Sequence, residues 1–129
     1  MRGVFNFLVS LLTGAALTGC SASRAFDTVD VNTFAKIIQE STVQLVDVRS
    51  MEEYLEGHIA QAQLIDVTKP GFIQVCEQML RKDRTVAVYC RSGRRSAMAA
   101  GQLAKKGYKV VNLDGGILAW KDAGKPVEK

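Results

Sequence analysis

Thr85-Val86-Ala87-Val88-Tyr89-Cys90-Arg91-Ser92-Gly93-Arg94-Arg95-Ser96 carries an uncharged run of β-formers into a short loop, and residues 97–106 continue as a helix-like run. An apolar strand of this kind reads as buried. Cys90 then stands where the strand ends and the loop opens a helix. The unpaired N–H groups of a helix start carry partial positive charge and favour a thiolate over a thiol. Cys90 is therefore a candidate nucleophile. Arg91, Arg94 and Arg95 stand at the positive end of the same helix, where cations are unfavourable. Three of them there predict a bound anion.

Outward from this stretch, strand and helix patterns alternate. Residues 26–29 read as a first strand, and Asp30 caps a helix whose Val31, Phe34, Ile37 and Ile38 share a face. Residues 43–47 form a second strand. Ser50 and Glu53 make a capping box for a short helix presenting Met51, Tyr54 and Leu55 and stopping at Gly57. Residues 63–66 are a third strand, Lys69-Pro70-Gly71 a turn, and 72–80 a helix. The helix behind the arginine loop is rich in small residues, which let it lie close to a sheet. Residues 109–113 form the fifth strand, and Asp114-Gly115-Gly116 leads into a last helix over 117–123. The alternation predicts an α/β fold of three layers, a central five-stranded parallel sheet with helices on both faces. Ligands then bind outside the carboxyl ends of the strands, where Cys90 leaves.

The 129 residues fit one domain, and 47% hydrophobic with 23% charged residues is a globular composition. A net charge of +4 is too small to argue for nucleic acid. Arg81-Lys82-Asp83-Arg84 reads as a solvated turn. The amino terminus has a basic start, a mostly apolar stretch over residues 4–17, and Leu17-Thr18-Gly19-Cys20. This is the layout of a secretory signal. The apolar run is short for a membrane span, which needs roughly 20 predominantly apolar residues. The ending resembles a bacterial lipoprotein signal. That resemblance implies a signal peptide over residues 1–19, lipid on Cys20, a tether through residue 25 and a domain over 26–129. The protein would then be exported and lipid-anchored to a bacterial membrane, facing the periplasm. Two thiols remain, Cys76 and Cys90. A disulfide between them is compatible with the sequence, but Cys76 reads better as a small buried hydrophobe in its helix.

Four segments together resemble the rhodanese-like domain, of the single-domain sulfurtransferase type. They are Asp47-Val48-Arg49; Glu53-Tyr54 with Gly57-His58-Ile59; Cys90-Arg91-Ser92-Gly93-Arg94-Arg95; and Leu113-Asp114-Gly115-Gly116 with Ala119-Trp120. One departure is visible, since the family usually has Gly-Ala where this chain has Gln61-Ala62. The resemblance implies the rhodanese-like three-layer fold and a thiosulfate sulfurtransferase type of chemistry. Cys90 would take the outer sulfur of thiosulfate or a similar anionic donor, hold it as a persulfide, and pass it to a thiol or cyanide. The backbone from Arg91 to Ser96, Ser92 included, would curl around the sulfur with N–H groups inward, and Gly93 would permit the turn. Arg95 is the first choice for holding the donor, with Arg91 and Arg94 raising the local potential. A protein persulfide partner is compatible with the same residues. No cofactor and no metal are implied.

The duller readings stand beside these. His58 matches a structural turn of the family better than a base. Asp47 and Arg49 read as a structural ion pair, and Trp120 as core. A cysteine-type phosphatase or arsenate reductase would need five residues between cysteine and arginine, and position 96 is serine. A non-catalytic, membrane-tethered binding module sits poorly with the presence of Cys90.

Overall fold

The structure is a computed structural model that describes residues 25–129. The expected signal peptide, Cys20 and most of the expected tether lie outside the described residues. The chain runs β1 (Asp27–Val29), α1 (Val31–Ile38), β2 (Gln44–Asp47), α2 (Met51–Glu56), β3 (Gln63–Leu64), α3 (Phe72–Met79), β4 (Val86–Tyr89), α4 (Arg94–Lys105), β5 (Val110–Leu113) and α5 (Gly116–Asp122). The five strands form one sheet in the order β1-β5-β4-β2-β3, and every pairing is parallel.

Strand alternation sorts the core into two layers. Val86 and Val88 point to the face that buries Phe72, Cys76, Ala99, Ala100 and Leu103 of α3 and α4. Ala87 and Tyr89 point to the other, with Phe34, Ile117 and Trp120 of α1 and α5. Continuing the alternation by one residue sends Cys90 to the α4 side. Its strand, β4, sits mid-sheet between β5 and β2. Ala99 and Ala100 are fully buried, so the small residues of α4 do bring that helix against the sheet.

Local signals behave as the sequence suggests. Asp30 accepts from Thr33 N at 2.8 Å, and Ser50 and Glu53 close a capping box. Cys76 is buried in α3 and free. Burial, aided by Glu77, pushes its thiol up to about 12, so it is an inert core residue. The basic turn is solvated, Arg81 pairing with Asp83 at 2.8 Å.

Three elements differ from expectation. Met51 and Leu55 of α2 are 58% and 59% exposed. The helix instead turns Tyr54 inward, stacked on His58 at 3.8 Å with its hydroxyl donating to Ala62 O at 3.0 Å. The strand expected over 63–66 is regular only at Gln63–Leu64. Its bonding continues irregularly through Ile65 N to Asp47 O and Val67 N to Val48 O. Most important, α4 begins at Arg94, not at 97, so the loop is shorter than its sequence suggests.

The turn at Gln61-Ala62 is retained, with Ala62 N donating to Ile59 O at 3.1 Å. Gln61 holds it at φ +72°, a left-handed conformation that favours glycine. Gln61→Gly should therefore stabilise the fold by about 1 kcal/mol, read as a thermal midpoint about 4–8 °C higher. An unchanged or lower midpoint would show that the turn carries no strain.

Candidate active site

Residues 90–93 form a tight connection whose sulfur replaces a helix cap. Gly93, the residue before α4, has φ +103° and no side chain with which to cap the helix. Cys90 Sγ fills that role, accepting from Gly93 N at 3.1 Å and from Ser96 Oγ at 3.3 Å. Ser96, in the first turn of α4, is fully buried. Burial alone would raise the Cys90 thiol. The Ser96 hydroxyl and the N–H groups of Ser96, Gly93 and Ser92 more than offset it and hold the thiol below its ordinary value.

The other side of the loop is held by α5. Ile117 N donates to Cys90 O at 2.9 Å and Leu118 N to Arg91 O at 3.2 Å. The free donors of the α5 start thus take the loop carbonyls, while loop amides face the sulfur. Gly116 allows this approach, because a Cβ there would lie 2.3 Å from Arg91 O and 2.6 Å from Cys90 O.

A thiolate stabilised by a buried hydroxyl is testable without any substrate. Ser96→Ala should slow alkylation of Cys90 by iodoacetamide about tenfold at pH 7, since a hydrogen bond to a charged group is worth about 1.5–3 kcal/mol. Reactivity should recover at alkaline pH, because the acid limb moves up. Alkylation with an unshifted pH profile would remove Ser96 from this role.

A family model described as Rhodanese-like domain matches residues 30–123. The chain belongs to the rhodanese-like domain family. It is 40% identical over 91 residues to a putative sulfurtransferase, YtwF, of Bacillus subtilis, covering 70% of this chain and 85% of that protein. It is 38% identical over 93 residues to a sulfurtransferase of Allochromatium vinosum, covering 71% and 84%. Among solved structures, a rhodanese-related protein from Thermoplasma volcanium superposes with a TM-score of 0.70 at 28% identity, covering 80% of this chain and 98% of that one.

The rhodanese-like fold brings the loop residues together but distributes them unequally. Arg91, Ser92 and Arg94 are exposed. Arg91 lines a cavity of about 100 Å³ beside the loop, with Arg49, Glu53 and Lys121. Arg95 is already engaged, its Nη1 and Nη2 each donating to a Glu53 carboxylate oxygen at 2.8 Å. The Arg95 fork pulls the Glu53 carboxyl down to about 2. Asp47 and Arg49 form a buried pair, and Arg49 Nη2 also donates to Gly57 O at 2.7 Å. They tie the end of β2 to α2. His58 bonds Tyr54 O through Nδ1, and its backbone pairs with Glu128, so it is part of a structural turn. Trp120 packs edge-on against Phe34 and donates to Pro126 O at 2.8 Å.

Cys90 itself is only 1% exposed. The thiol lies at the floor of its loop, under the N–H groups that favour its ionised form. Two contributions escaped the sequence. Glu53 signalled only a helix cap, although it also meets an arginine 42 positions away. Gly116 signalled only the fold, although it is the contact point for the loop carbonyls.

Proposed function

We propose that this rhodanese-like domain is a sulfurtransferase that carries sulfane sulfur as a Cys90 persulfide. The observation that carries the reading is Cys90 Sγ held by Gly93 N and Ser96 Oγ at a helix start, with its thiol lowered despite burial. The thiolate attacks the outer sulfur of thiosulfate or a similar donor, a sulfur–sulfur bond forms on Cys90, and sulfite departs with the electron pair of the bond it loses. A thiol or cyanide then attacks the bound outer sulfur and restores the thiolate, a two-step cycle without net redox change. Loop amides suit the negative charge in both resting states. Exposed Arg91 and Arg94 draw the anionic donor in, and Arg95 reaches it by exchange with Glu53. A protein persulfide is a compatible donor in place of thiosulfate.

A phosphatase or arsenate reductase is less well supported. The position where its arginine would stand is Ser96, whose hydroxyl is on the sulfur. The test is intact mass after incubation with thiosulfate. Gain of one sulfur atom on Cys90, reversed by cyanide with release of thiocyanate, is expected. Hydrolysis of an aryl phosphate without sulfur uptake would overturn the reading.

The proposal extends to the amino terminus, where Cys20 in its lipoprotein-like setting would anchor the domain to a bacterial membrane. Recovery of the full chain in the soluble fraction of the cell would refute the anchor and leave the chemistry untouched.

A further inference from the structure

Within the loop's first helical turn, Ser96 touches the sulfur and the preceding residue, Arg95, carries the charge nearest to it in sequence. Both terminal nitrogens of that guanidinium are spent on Glu53 at 2.8 Å. The carboxylate itself is immobilised. Glu53 Oε1 also accepts from Ser50 N and Ser50 Oγ, each at 3.1 Å, as part of the capping box of α2. The pair is partly exposed, at 31% and 26% of its side-chain surfaces, so it stands where the loop meets solvent. Arg95 senses both Glu53 and, more weakly, the Cys90 thiolate. Its carboxylate partner stays ionised through the physiological range.

We infer that Glu53 is a specificity-determining residue that sets the charge class of the sulfur donor, turning the site from dianionic thiosulfate toward hydropersulfides of low charge. This rests on the sulfurtransferase reading. With thiosulfate, a thiolate must meet a dianion, and the guanidinium suited to its sulfonate group already holds the Glu53 carboxylate in its fork. With an alkyl hydropersulfide, the thiolate attacks the outer sulfur, the new sulfur–sulfur bond forms on Cys90, and the alkyl thiolate leaves with the electron pair. That sulfur carries its own proton across, and no sulfonate needs the fork. Arg91 and Arg94, which form no ion pair among the described residues, still attract anions in general. The selectivity therefore resides in the Glu53–Arg95 pair.

Glu53→Gln isolates the charge, because glutamine also serves at this position of a capping box. Sulfur loading of Cys90 is followed by intact mass and by initial rates, with thiosulfate and with a simple alkyl hydropersulfide. The variant should raise the thiosulfate-to-hydropersulfide ratio of kcat/KM about tenfold, through a lower KM for thiosulfate and with a steeper salt dependence. Adding Arg95→Ala should cancel the gain. An unchanged ratio, or a gain that survives loss of Arg95, overturns the inference. Wild-type loading from either donor keeps the sulfurtransferase reading standing in those cases. Loading from neither would sink that reading, and this inference with it.

Discussion

Cys90→Ser takes up no sulfur from any donor, yet its unfolding free energy stays within about 1 kcal/mol of the parent. The two halves of this expectation have separate causes. A serine hydroxyl is far too weak an acid to present the anion that sulfur transfer needs. It is, however, a good helix cap, and Cys90 Sγ is the atom that caps α4 through Gly93 N and Ser96 Oγ. Cys90→Ala separates the roles. It also loads no sulfur, but it strands a buried hydroxyl and a loop N–H, costing about 1–3 kcal/mol. Intact mass and denaturant titration read the two quantities. Equal stability of the serine and alanine variants would show that the sulfur does not cap the helix.

Gly116→Ala is expected to be the most damaging single-methyl addition near the site. The added carbon would lie 2.3 Å from Arg91 O, far inside contact distance, and the neighbour is backbone with no rotamer to yield. The residue also holds φ +61°, which itself costs a side chain about 1–2 kcal/mol. Either α5 retreats, losing its bonds to Cys90 O and Arg91 O, or the loop does. We expect a loss of about 3 kcal/mol or more, with Cys90 alkylation at neutral pH falling at least tenfold as the amides leave the sulfur. Gly115→Ala is the control. Its Cβ would meet Ala119 Cβ at 2.7 Å and no loop atom among its contacts. It should destabilise the fold while leaving Cys90 reactivity in the folded fraction near that of the parent. Equal reactivity in both variants would deny the α5 start any part in shaping the loop.

Much of this molecule was legible because its signals are local. Asp30, the Ser50–Glu53 box and the period of two through β4 each depend on neighbours a few residues away. The last of these also puts Cys90 on the α4 face. The start of α4 was not legible for the same reason. Arg94 and Arg95 run against the local rule for charges at a helix start, so no local signal marks a first turn at Arg94. The offsetting groups, the Glu53 carboxylate and the Cys90 sulfur, come from outside that turn. A six-residue α2 is too short for apolar spacing to define a face, which is why Met51 and Leu55 face solvent. Gly116 contacts a loop 25 positions earlier, and no local pattern announces a contact of that range.

The bonds from α5 to the carbonyls of residues 90 and 91 have a consequence for turnover. Ser92 N–H shares its peptide unit with Arg91 O, so that amide cannot swing away from the sulfur without breaking the bond from Leu118 N. Under the proposed chemistry the bare thiolate carries its charge on Sγ, where Gly93 N and Ser96 Oγ converge, whereas a persulfide carries it on the outer sulfur, about 2 Å further out. A tethered amide stays with the inner atom, and the charge of the laden form is met nearer the mouth of the loop.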